Sequence, residues 1–126
     1  RAQEAMENEE PTGKLLLKEL KETVLLNEPS VNFEDGFSKM SWILRRYLED
    51  RYGFDATHAL NEEIVQKLKQ NAVDDSLINN VVEIFDKCDI VKFSGTGAER
   101  SEFERIFTLV EDFIITTLEY RPSIDN

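Results

Sequence analysis

A chain of 126 residues is long enough to bury one hydrophobic core and too short for two ordinary domains. Its 15 basic and 26 acidic side chains give a net charge of −11, which repels phosphate backbones and anionic lipid headgroups and so argues against broad nucleic-acid or membrane-surface binding. A single cysteine cannot form an internal disulfide, so stability must come from packing, and the chain suits a reducing compartment.

No apolar run approaches the roughly 20 residues that a membrane-spanning helix needs, and no signal peptide is recognisable. The first residue is Arg1 and no initiator methionine precedes it, so the chain reads as a soluble piece of a longer protein. Residues 1–11 are polar and acidic and read as a leader or linker. From Thr12 an apolar stripe of Leu15, Leu16, Leu20 and Val24, joined by Leu17 and Leu25, predicts a first helix. Asn27-Glu28-Pro29 should end it, because proline lacks a donor N–H and disfavours helical geometry in the residue before it.

Ser30 or Asn32 can cap a second helix that runs to about Tyr52 and stops at Gly53. Phe33, Phe37, Met40, Leu44 and Leu48 share one stripe, flanked by Ser41 and Tyr47. Trp42 and Ile43 fall off it, so this helix is either buried on two sides or uses Trp42 to cover an edge of the bundle. Residues 53–61 form a connection with Phe54 and Leu60 turned inward and a short helical turn near Ala56 to Ala59. Asn61 caps a short third helix, Glu62 to Gln70, with Ile64, Val65 and Leu68 on its inner face. Asn71-Ala72-Val73 then links tightly into the fourth helix, Asp74 to Phe93, with Val73 plugging the corner.

In that fourth helix Asp74 or Asp75 serves as cap, and Leu77, Ile78, Val81, Val82, Phe85 and Cys88 recur at three- and four-residue steps. After Ser94-Gly95-Thr96-Gly97 a last helix, Ala98 to Tyr120, buries Phe103, Ile106, Phe107, Val110, Phe113, Ile114 and Leu118, thickened by Leu109 and Ile115. Arg121-Pro122 ends it, and residues 122–126 form a frayed tail. The expected fold is all-α: an antiparallel helical bundle of four main helices plus one short one, a single domain over residues 12–121.

Chemistry is hard to find in this chain. Ser94-Gly95-Thr96-Gly97 follows a helix and lacks the lysine and strand context of a phosphate loop. His58, the only histidine, sits in a loop, and Cys88, the only cysteine, falls on a core-facing stripe where a thiol acts as a small apolar group. No EF-hand loop and no Glu-x-x-His pair occurs, so the sequence indicates no catalytic residue, no cofactor and no metal. Residues 35–55 are the one basic concentration: Lys39, Arg45, Arg46 and Arg51 balance Asp35, Glu49, Asp50 and Asp55 while both flanks are acidic. The plain reading is a solvated helix face with local ion pairs, and the functional one is a docking patch for an acidic partner.

Three stretches carry a family resemblance: Leu60-Asn61-Glu62-Glu63-Ile64-Val65-Gln66-Lys67-Leu68, the link Asn71-Ala72-Val73-Asp74, and Val81-Val82-Glu83-Ile84-Phe85-Asp86-Lys87-Cys88-Asp89-Ile90-Val91-Lys92-Phe93. Together with Tyr47-Leu48-Glu49-Asp50-Arg51-Tyr52-Gly53 they resemble the cytoplasmic C-terminal helical tail of BatD-type aerotolerance proteins and related bacterial membrane proteins. The likeness runs over residues 33 to 115. This chain departs from the family at Ser94-Gly95-Thr96-Gly97, where an Ala/Lys/Tyr-rich stretch with proline is usual.

The resemblance implies a non-catalytic interaction or regulatory module on the cytoplasmic side of a bacterial inner membrane, acting with MoxR-type ATPases and von Willebrand A proteins. Candidate partner-binding residues are Trp42, Arg45 and Arg46 on the second helix or, at the Asp89 to Thr96 end of the fourth, Asp89 and Lys92. The alternatives are a ligand-binding or enzymatic bundle with an internal pocket, and a homodimerisation unit closed by spare apolar surface.

Overall fold

A computed structural model describes residues 12–25, 32–96 and 98–119. They form α1 (Thr12–Leu25), α2 (Phe33–Tyr52), α3 (Asn61–Gln70), α4 (Asp75–Ser94) and α5 (Arg100–Glu119), with a 3-10 turn over Ala56–His58 between α2 and α3. No strand occurs among the described residues. The expected leader, the Asn27-Glu28-Pro29 stop and the tail lie outside them. No described helix is long and apolar enough to cross a membrane.

Local signals set most of the helix ends. Asn32 has extended backbone, and its side-chain carbonyl accepts the Asp35 N–H at 3.2 Å. Gly53, at φ 75°, closes α2 in the left-handed region that a side chain would disfavour. Two caps differ from expectation. Leu60, and not Asn61, occupies the cap position of α3, where the Glu63 carboxylate accepts the Leu60 N–H at 2.8 Å. Asp74 precedes α4, but its carboxylate takes the Ser76 hydroxyl at 2.6 Å and makes no side-chain bond to the backbone. The last helix begins at Arg100, later than Ala98.

The core is organised around α2, which packs against α1, α4, α5 and the 3-10 turn, while α3 packs on α4. Phe37, Met40, Ile43, Leu44, Tyr47 and Leu48 are all buried. Ile43 is therefore inside although it lies off the main stripe: α2 is buried on two sides, and Trp42 is left at its edge. Contacts fix the directions. Phe37 meets Phe103 at one end and Tyr47 meets Phe113 and Thr117 at the other, so α2 and α5 run parallel. Between them α4 runs the opposite way, with Cys88 against Phe37 and Lys87 and Glu83 paired to Glu102 and Arg105 of α5. Tyr47 and Thr117 share a 2.5 Å hydrogen bond in the interior, and burial holds the Tyr47 phenol above its ordinary range.

Several expected inward residues are outside. Leu60 is 69 % exposed because it sits in the cap of α3, before the helix turns its inner face to the bundle. Leu15 and Ile115 lie at the rims of their stripes and are exposed. In α4 the buried arc is rotated toward Ile84 and Val91 because α5 covers that side, which leaves Val82 at the edge. The side chains of Val24 and Leu25 lie outside the described set.

Gly36 of α2 lies against Phe103 of α5. A methyl group built there would stand 2.6 Å from Cε1 of Phe103, a ring already held between Phe33 and Phe37 at centroid distances of 5.4 and 5.5 Å. Alanine gains up to ~1 kcal/mol of helix propensity, but overpacking a ring with no free side costs about 1–3 kcal/mol. Gly36→Ala is thus expected to lower stability by about 1 kcal/mol, measured by denaturant titration, and Phe103→Leu in the same background should return part of the loss.

Candidate functional site

The structure brings Trp42, Arg45, Asp89 and Lys92 together. They line a groove of about 380 Å³ between α2, the 53–60 connection and α4, along with Ser38, Ser41, Thr57 and His58. Arg46 does not line it; it points away and pairs with Asp50 at 3.5 Å along its own helix.

Arg45 is a structural organiser of this groove more than an open cation. Its Nη1 donates to the carbonyls of Ala56 at 2.9 Å and Ala59 at 2.7 Å, and Nη2 donates to the Asn61 side-chain carbonyl at 2.8 Å. The guanidinium carbon also lies 4.7 Å from the centre of the Phe85 ring. Asn61 in turn donates from Nδ2 to Asp89 Oδ2 at 3.0 Å. Because Leu60 has taken the cap position, the Asn61 amide is free to bridge the Arg45 cation and the Asp89 anion. Burial lowers the pKa of Arg45, opposed by the Asp89 carboxylate, and a guanidinium stays charged throughout the working range. The network fixes the walls of the groove with donors matched to acceptors.

Cys88 lines the floor without supplying chemistry. Burial pushes its thiol up to about 12, the Asp89 carboxylate adds to this and Arg45 opposes it, so the reactive thiolate is not formed near neutrality. Its Sγ donates to the Phe37 carbonyl at 3.4 Å, joining α4 to α2. Among the described residues no group of three His, Cys, Asp or Glu side chains could hold a metal ion.

The rim is apolar. Trp42 is 47 % exposed on the α2 side. On the α4 side, Lys92 Nζ lies 5.5 Å from the centre of the Phe93 ring, which places Phe93, 78 % exposed, beside the groove. Ile90, one helical step from Phe93, is exposed as well. Neither residue lines the groove itself, and both fall within the Asp89 to Thr96 end that the sequence offers as a partner surface. The signal that singles them out individually is that Ile90 and Phe93 fall off the stripe of Val81, Phe85 and Cys88 while being too apolar for a solvated face.

At the mouth of the groove His58 pairs with Asp55, Nδ1 lying 2.9 Å from Oδ1. The Asp55 carboxylate raises the His58 pKa above its ordinary 6.5, and the same pairing lowers Asp55 below its ordinary 3.8. The His58 contribution to stability is complete below pH 6.5 and is lost as pH rises through the raised folded value. The Asp55 contribution is present above 3.8 and is lost as pH falls through the lowered one. The pair therefore acts between these limits. In Asp55→Asn the His58 imidazole is expected to titrate at a lower pH than in the parent, read from its proton chemical shifts, which can be assigned directly because the chain has one histidine.

A roomier cavity of about 710 Å³ opens at the other end of the bundle, where Tyr52, Asp74, Leu77, Asp112 and Thr116 line it. Arg51, the one cation lining it among the described residues, donates to the Thr117 carbonyl at 3.2 Å and lies over the Tyr52 ring. Comparison with protein-family models, with curated proteins and with solved structures finds no match.

Proposed function

We propose that this domain is a non-catalytic protein-interaction or regulatory module that docks its partner at the groove between Trp42 and Lys92. The observation carrying this reading is a groove whose wall is tied together by the Arg45 and Asn61 hydrogen bonds and which is lined by the exposed Trp42 ring and by Lys92, with the exposed Phe93 ring next to Lys92. Aromatic side chains beside an ordered polar network are the usual anchors of protein interfaces, and covering a large exposed ring is worth about 1.5–3 kcal/mol.

The resemblance to BatD-type tails extends the proposal to the cytoplasmic side of a bacterial inner membrane, with a MoxR-type ATPase or a von Willebrand A protein as the partner. The test is titration calorimetry of the domain against a purified protein of each kind, with Trp42→Ala and Lys92→Glu beside the parent and unchanged thermal transitions as the control. Saturable binding that both variants weaken supports the module and its surface. Binding that neither variant alters would move the surface elsewhere, and the absence of binding to either protein would remove these partners from the proposal.

A further inference from the structure

The charges of the groove point to the class of segment it receives, an inference that rests on the docking reading above. Each ionised group there except one is already answered: Arg45 and Asp89 are joined through Asn61, and His58 is paired with Asp55. Lys92 has no carboxylate within 4 Å among the described residues and rests only over the face of Phe93. A single uncompensated ammonium thus shares the groove with the exposed Trp42 ring and lies over the exposed Phe93 ring, in a chain whose net charge is −11. Such a groove is complementary to one negative charge next to apolar surface.

Length narrows the occupant further. The wall from Ser38 to Arg45 rises about 10 Å along α2, which matches about three residues of an extended chain passing through. In such a chain alternate side chains share a face, so an apolar side chain and a carboxylate two positions apart reach Trp42 and Lys92 together. We infer that the groove binds an extended segment of a partner protein in which an aspartate or glutamate lies two residues from an aromatic or large aliphatic side chain.

Trp42 is the only tryptophan, so its fluorescence reports occupancy of this groove without a label. The probes are four short peptides with the pattern Phe-x-Glu: the acetylated and amidated parent, its Glu→Gln and Glu→Lys analogues, and the Gln analogue with a free C-terminal carboxylate. Each is titrated to about 1 mM, a range that captures contacts this small. The expected result is a saturable blue shift with the Glu peptide and affinity about fivefold weaker for the Gln peptide, the size of one exposed ion pair. In Lys92→Glu the preference should invert toward the Lys peptide, with the thermal transition unchanged.

Equal binding of the Glu and Gln peptides would overturn the acidic specificity and leave the docking reading standing. Preference for the free carboxylate over the internal glutamate would overturn the internal segment in favour of a chain end. A groove that responds to none of the peptides would overturn the inference, and together with calorimetric binding indifferent to Trp42→Ala it would remove the docking reading as well.

Discussion

Replacing Arg45 by alanine should lower the unfolding midpoint by about 10–20 °C. Two carbonyls of the 53–60 connection, at Ala56 and Ala59, take their side-chain donor from this one guanidinium, as does the Asn61 amide, and the same guanidinium lies over the Phe85 ring. Hydrogen bonds from a charged donor contribute about 1.5–3 kcal/mol where the acceptor would otherwise go unpaired. Partial exposure of Arg45 lets water replace some of them, so the total falls at about 2–4 kcal/mol. For a domain of this size that corresponds to the shift given. Arg45→Lys should recover less than half, because one ammonium cannot span two carbonyls and an amide as the planar fork does. Hydrogen exchange at Ala59, whose N–H bonds to Ala56 O at 3.3 Å, should quicken in both variants. A midpoint for Arg45→Ala within 2–3 °C of the parent would show that the connection is held by something else.

The second large effect is expected at Phe113. Its ring is fully buried, stands edge-on to Tyr47 at 6.2 Å, and its carbonyl accepts the Thr117 hydroxyl at 2.8 Å. Phe113→Ala empties the space between α2 and α5 at the end where the Tyr47–Thr117 pair also lies. Truncations of this kind cost about 3–5 kcal/mol, through lost transfer free energy and through the cavity left behind. Total stabilities of about 5–15 kcal/mol leave little reserve, so this variant should be partly unfolded well below the parent's transition, and circular dichroism during a thermal ramp checks it. Phe93→Ser is the contrast. That ring is mostly in water, so its loss should change stability by less than about 0.5 kcal/mol. A large aromatic that contributes little to folding and stands beside the groove is what the docking reading requires, and a marked loss of stability in Phe93→Ser would count against it.

Much of this architecture is legible in the residues because helix formation depends on near neighbours. The spacing of Phe37, Met40, Leu44 and Leu48, the cap at Asn32 and the stop at Gly53 define α2 without reference to any other segment. The core role of Cys88 follows from the same periodicity. Trp42, Arg45, Asp89 and Lys92 are visible as candidates because Trp42 falls off a stripe and Arg45 lies in the one basic stretch, yet nothing local shows that they share a groove or that Arg46 does not.

The all-α class, the order of the helices and most of what each helix buries follow from the residues alone, since periodicity and caps act within a few residues. Tertiary structure alone decided which way each stripe turned at its edges, which is why Ile43 and Ile84 are inside while Val82 and Leu60 are not. It also decided the role of Arg45, whose acceptors, two carbonyls of the connection and the Asn61 side chain, lie 11, 14 and 16 residues away. Asn61 reads as a cap in the chain and becomes a bridge in the fold, because a hydrogen-bonding group serves whichever partner packing brings within 3 Å.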